Sequence, residues 1–140
     1  MRLIDIGVEP FLVSSTVEGV MAQRLVRVLC RECRQPYVPR RSELPPDFPL
    51  DECLQRGERI YRAVGCRHCR GTGYSGRVGL YELLEANEEI RRLTSERTPS
   101  HIVKEAARQA GMKTLREDGW LKVRRGITSI DEVLRVTKAD

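Results

Sequence analysis

Two pairs of cysteines constrain this chain more than anything else in it: CREC at residues 30–33 and CRHC at residues 66–69, which together read C-x2-C-x32-C-x2-C. A C-x2-C unit turns tightly enough to aim two sulfurs at one point, and zinc takes four tetrahedral donors, so two units complete one closed shell. The spacing predicts one structural zinc on Cys30, Cys33, Cys66 and Cys69, with no open position for water or substrate. Iron is the alternative ion, because a four-thiolate tetrahedron suits both. The fifth cysteine, Cys53, has no partner at ligand spacing and is expected to be a free thiol.

Energetics favour the metal. The 32 residues between the pairs carry five prolines and scattered charges and are expected to build no core alone. Closing a loop of 32 residues costs roughly 3 kcal/mol by the logarithmic length term, whereas structural zinc supplies about 10 to 16 kcal/mol. Gly71 and Gly73 permit positive φ directly after the second pair, which would turn backbone N–H groups towards sulfur. A redox role fits less well, since thioredoxin-like pairs sit between a strand and a helix, while here both pairs run into turn formers, RQP and RGTG. Residues 66–73 also fit C-x-x-C-x-G-x-G, the zinc box that DnaJ-type chaperones repeat several times, but it occurs once here.

The formal charge of the 140-residue chain is +5, and the stretch from Arg24 to Arg41 contains arginines 24, 27, 31, 34, 40 and 41 against Glu32 alone. Such a patch attracts nucleic acid or acidic lipid in principle. The plainer expectation is local: four thiolates on zinc carry a formal charge of −2, and neighbouring arginines would donate to the sulfurs. No run of about 18 apolar residues and no signal peptide is recognised, so a cytoplasmic protein is expected.

The rest reads as a small α+β chain. MRLIDIG is expected to end a helix at Gly7, EPFLVSSTVEGV to form a turn and short helix, and MAQRLVRVL a strand with Leu25 and Leu29 on one face. GRVGLYELLE is a second strand with Val78, Leu80 and Leu84 in phase; if the two pair antiparallel, the cysteine segment decorates a hairpin. Beyond it, Asn87 is expected to cap one helix and Thr98 with Pro99 to open another that Gly111 ends. Thr114 with Glu117, and Ser129 with Glu132, read as capping boxes for two more, the first stopped by Gly126. Val103, Ala106, Ala107 and Ala110 form one apolar face and Ile130, Val133 and Leu134 another, with Trp120 and Val123 nearby; His101 falls on a polar side and is expected at the surface.

Three stretches, IGVEPFLVSSTVEGVMAQRLVRVLCREC, IYRAVGCRHCRGTGYSGRVGLYELL and TLREDGWLKVRRGITSIDEVLRVT, resemble the C-terminal part of the type II secretion ATPase E family and the related type IV pilus assembly ATPases. The resemblance implies that residues 1–29 are the tail of a RecA-like motor core, 30–70 an inserted zinc module, 71–86 a strand returning to the core and 87–140 a helical subdomain. It assigns the zinc to Cys30, Cys33, Cys66 and Cys69, and implies neighbouring subunits of a hexamer and an inner-membrane platform protein as partners. It further implies a cytoplasmic location, peripheral at the inner membrane through those partners.

The departure from the family is equally specific. Phosphoryl transfer needs a glycine-rich loop ending in Lys and Ser or Thr, and no G-x-x-x-x-G-K-[ST] occurs here. ATP and Mg²⁺ therefore belong to the full-length family context, and this chain is expected not to hydrolyse ATP by itself. A zinc-ribbon nucleic-acid binder and a DnaJ-like zinc chaperone module are the competing functions. The low aromatic content, 5%, argues against nucleic acid, because single-strand binders offer stacking rings.

Overall fold

The computed structural model describes residues 2–137. In chain order the elements are α1 (Arg2–Asp5), α2 (Pro10–Thr16), β1 (Gly19–Leu29), β2 (Gln35–Tyr37), a 3-10 turn (Arg41–Glu43), α3 (Leu50–Gln55), β3 (Ile60–Arg62), β4 (Tyr74–Glu85), α4 (Glu88–Ser95), α5 (Ser100–Gln109), α6 (Leu115–Arg124) and α7 (Ile130–Val136). Strand β1 pairs with β4, and β2 with β3. The chain is thus mixed α+β, and it divides into two compact units, Met1–Ala22 with Tyr81–Thr114 and Gln23–Leu80 with Leu115–Asp140.

In the first unit local signals act as expected. Pro10 sits in the first turn of α2, where its fixed φ suits a helix and its missing N–H costs nothing. The Asn87 side chain accepts from the Ile90 N–H at 2.9 Å and opens α4. Gly111 ends α5 in the left-handed region at φ 102°, with the Met112 N–H closing onto the Ala107 carbonyl. Ile90, Leu93, Val103 and Ala107 form the buried core, flanked by Leu84, Ala106 and Met112. Arg91 ties α2 to α4, donating to the Ser14 carbonyl at 2.6 Å and pairing with Glu18 at 3.2 Å.

Some local expectations need correction. Pro99, not Thr98, occupies the cap of α5, because a residue before proline is driven out of the helical region; the Pro99 carbonyl accepts from the Ile102 N–H at 3.0 Å. Ala110 lies past the last turn of α5 and is exposed. His101 is exposed, as its polar side predicts.

Strands β1 and β4 run antiparallel: the Cys30 N–H donates to the Gly73 carbonyl in the second unit, and the Ala86 N–H donates to the Glu18 carbonyl in the first. The far side of β1 is held by residues 127–128, through Leu29 N–H to the Ile127 carbonyl and Thr128 Oγ1 to the Arg27 carbonyl. That cover begins only at residue 27, so Leu29 is buried while Leu25, expected to share its face, lies before the cover and is exposed. In α7, Ile130 and Val133 are buried and Leu134 sits at the rim.

The proline-rich segment departs most from expectation. It forms the β2–β3 ribbon, in register Gln35 to Arg62, Pro36 to Tyr61 and Tyr37 to Ile60, and the short helix α3. Its apolar residues do not stand alone: Phe48, Leu50, Cys53 and Ile60 share one core with Trp120, Val123, Ile130 and Val133. Phe48 meets Trp120 edge to face at 5.1 Å, and Asp47 holds the indole N–H at 2.8 Å and Arg116 at 2.6 Å. Full burial of such side chains contributes about 1.5 to 3 kcal/mol each, so α6 and α7 supply the hydrophobic partner that the segment lacks.

Gly119 marks how closely these helices approach. A methyl group there would lie 2.6 Å from Val133 Cγ1 and 3.3 Å from Leu80 Cδ1. Helix propensity alone would favour alanine by about 1 kcal/mol, but overpacking costs about 1 to 3 kcal/mol and has three side-chain atoms to displace. Gly119→Ala is therefore expected to lower stability in urea titration; a gain would mean that Val133 swings aside freely.

Candidate metal centre

The four sulfurs of Cys30, Cys33, Cys66 and Cys69 lie within 4.8 Å of one another. Three of the edges measure 3.9 Å (Cys30 to Cys66), 3.8 Å (Cys33 to Cys69) and 3.8 Å (Cys66 to Cys69). A zinc with sulfurs at about 2.3 Å requires tetrahedral edges of about 3.8 Å, so the donor set fits such an ion. All five cysteines are free, and Cys53 stands apart in the hydrophobic core, where burial pushes its thiol up to about 11. It behaves as an inert apolar residue.

Each knuckle is built by backbone turns. The Arg34 N–H closes the first onto the Cys30 carbonyl at 2.9 Å, and the Gly71 N–H closes the second onto the Cys66 carbonyl at 2.8 Å. Sulfur acceptors are then met by the main chain: Gly65 N–H to Cys33 at 3.3 Å, Cys66 N–H to Cys69 at 3.1 Å and Gly73 N–H to Cys69 at 3.2 Å. Gly73 thus does what its position suggests, whereas the Gly71 N–H serves the turn and not a sulfur. Gly65 was not singled out by the sequence. At φ 115° its missing side chain leaves room for the Gly71 carbonyl, 2.7 Å from where a Cβ would stand; a glycine just before a knuckle is the signal that was available.

The expected arginine-to-sulfur contacts are absent among the described residues. Arg27 instead engages Glu132, Arg34 donates to the Gly126 carbonyl and covers the Tyr61 ring at 4.3 Å, and Arg41 pairs with Asp51. Backbone amides reach the sulfurs first because the turns already aim them there. The thiols diverge in acidity: burial, with the neighbouring sulfurs, raises Cys33, whereas at Cys69 burial is outweighed by the Cys66 and Gly73 N–H groups, which lower it. Bringing one thiolate close to three further sulfurs makes the next ionisation unfavourable, and a cation at the centre reverses that preference.

No helix among the described residues is long and apolar enough to cross a membrane. A family profile described as "Type II/IV secretion system protein" matches residues 1–135. Among curated proteins, the chain is similar to the type IV pilus assembly ATPase PilB of Thermus thermophilus, with 44% identity over 97% of this chain and 15% of that protein. It is similar to the type II secretion system protein HxcR of Pseudomonas aeruginosa, with 44% identity over 98% of this chain and 25% of the relative. The type II secretion system ATPase E of Vibrio cholerae is 42% identical over 98% of this chain and 26% of its own length. The chain thus spans about a quarter or less of these relatives. With the tetracysteine cluster and the ordered match along the whole sequence, the chain belongs to the type II/IV secretion system protein family.

Proposed function

We propose that this chain is the zinc-binding and helical portion of a type II secretion or type IV pilus assembly motor ATPase, with a structural and subunit-contact role in protein export. The observation that carries the reading is the four-sulfur cluster on Cys30, Cys33, Cys66 and Cys69, at tetrahedral edge lengths, in a chain that matches the family from end to end. Bound there, zinc would supply a closed structural crosslink and no open coordination site. In this reading residues 1–29 and 71–86 are remnants of a RecA-like core, 30–70 the zinc module and 87–140 the helical subdomain. ATP and Mg²⁺ would act only where the family's nucleotide motifs are present. Its partners are the rest of the motor, neighbouring subunits of a hexamer and the inner-membrane platform protein, on the cytoplasmic side.

Metal analysis of the purified chain should return about one zinc per polypeptide, and a thiol reagent should modify one cysteine set only after a chelator is added. Incubation with Mg-ATP should release no phosphate above the blank. A chain without metal and with all thiols equally reactive defeats the zinc assignment, and steady ATP turnover defeats the structural role.

A further inference from the structure

The arginines that do not serve the sulfurs leave a charge pattern with a use of its own. Among the described residues, arginines 27, 41, 56, 91, 92, 116, 124 and 135 pair with carboxylates. Arg31 in the first knuckle, and Arg67 and Arg70 in and after the second, do not: all three are exposed and without side-chain partners among the described residues. The sulfur edges of 3.8 and 3.9 Å bring the two knuckles face to face, which gathers these cations around one small centre with Glu32 as the single acid between the cysteines of either pair. Arg70 also holds φ 54°, a left-handed conformation that glycine or asparagine adopts more easily. A cation is kept there against the local preference.

The β2–β3 ribbon links this basic tip to an apolar groove. The ribbon leaves the knuckles at Cys33 and Gly65 and ends at Tyr37 and Ile60, four or five residues away, roughly 13 to 16 Å at the strand rise. There a cavity of about 220 Å³ is lined by residues that include Val38, Pro39, Leu54 and Ile60, together with Arg59 and with Glu58, whose carboxylate Arg124 holds; Val38 is 71% and Leu54 47% exposed. Arginine beside open apolar side chains is the composition of a protein-binding surface. A nucleic-acid reading lacks stacking rings, since Arg34 covers Tyr61 and Arg62 lies over Tyr37.

We propose that the knuckle tip and this groove together dock an extended acidic segment of a partner protein, with its carboxylates on Arg31, Arg67 and Arg70 and an apolar side chain in the groove beside Val38 and Leu54. The inference rests on the reading of the zinc module as a contact surface and adds the chemistry of what it contacts. The probe is a fluorescein-labelled 12-residue peptide of Glu-Glu-Leu repeats, followed by anisotropy, with a Lys-Lys-Leu peptide and a labelled DNA duplex as comparators. The acidic peptide should bind, and the lysine peptide should not. The triple variant Arg31→Gln, Arg67→Gln, Arg70→Gln should weaken binding about tenfold, the sum expected of three rim ion pairs, and flatten its salt dependence. Val38→Asp should weaken it independently, by repelling the peptide and filling the groove with charge.

Zinc is measured on the same samples. A metal-loaded triple variant that binds the acidic peptide as tightly as the parent, or a parent that prefers the duplex, overturns the docking surface while leaving the zinc reading standing. A metal-free chain that still binds through the three arginines does the opposite.

Discussion

Cys66→Ser is expected to yield protein without zinc and without amide protection from residue 30 to residue 73. The serine hydroxyl is a poor zinc ligand, and a shell of three thiolates loses most of the roughly 10 to 16 kcal/mol that a complete site supplies. What remains to order the segment is a ribbon of three residue pairs, the contribution of Phe48, Leu50, Cys53 and Ile60 to the shared core, and polar ties to α6 and the turn after it: Asp47 with Arg116 and Trp120, Glu52 and Glu58 with Arg124, and Arg34 with the Gly126 carbonyl. An isolated two-stranded ribbon is marginal in water, and the loop between the cysteine pairs still costs roughly 3 kcal/mol to close. The loss should spread further than the cysteines suggest, because those four apolar residues are half of the core that also holds Trp120 and Val133. Hydrogen exchange should therefore show complete loss in residues 30–73 and faster exchange in α6 and α7, and a chelator should reproduce both in the parent chain. Full protection of residues 30–73 in a metal-free sample would mean that packing, not the ion, organises the module.

Features legible in the sequence share one property: their physics is local or repeats at fixed spacing. The two cysteine pairs, the Asn87 cap and the Gly111 stop each act within a few residues, and the structure has the sulfurs together and both helix signals in place. Features that escaped depend on partners far along the chain. The proline-rich stretch offers few apolar residues and looks coreless until Trp120 and Val123 are set against it, about 70 residues later. The β2–β3 ribbon pairs residues 27 apart at one end, with nothing in its three-residue strands to announce it. The arginines between Arg24 and Arg41 were expected to meet sulfur, yet backbone amides fill that role and Arg31 faces solvent, as Arg67 and Arg70 do at the second pair.

Glu132 shows the same competition within one side chain, and its removal is the second large effect expected. Ser129 Oγ accepts from the Glu132 N–H at 3.3 Å, so half of the capping box forms. The carboxylate does not reach back to complete it. It is 1% exposed and accepts from the Arg27 N–H at 2.7 Å, from the Arg27 guanidinium at 3.0 and 2.7 Å, and from the Arg135 guanidinium at 2.9 and 2.8 Å. The clasp joins α7 to β1 just before Cys30, and Arg27 also lies over the Tyr74 ring at 4.2 Å, whose hydroxyl meets Ser129 at 2.7 Å. Burial alone would raise this carboxyl; the bonds from Arg135 and Arg27 outweigh it and bring it down from 4.5 to about 2.

Because the folded value lies below the unfolded one, the stabilisation is fully present above about pH 4.5 and disappears as pH falls through about 2. A shift of this size corresponds to about 3 kcal/mol. Glu132→Ala should cost about 3 kcal/mol near neutral pH, since it strands the Arg27 amide and separates two guanidinium groups from their shared acceptor; both are half exposed, which spares the larger penalty of a fully buried orphan charge. Glu132→Gln keeps the shape and loses the charge, so its deficit relative to the parent should be large at pH 7 and shrink steadily between pH 5 and pH 2. Comparing the two proteins at each pH cancels the other carboxylates that arginine holds low, Asp47, Glu58 and Glu89. A deficit that stays constant down to pH 2 would show that Glu132 contributes through packing alone and that the ion pair with Arg27 and Arg135 carries no stability.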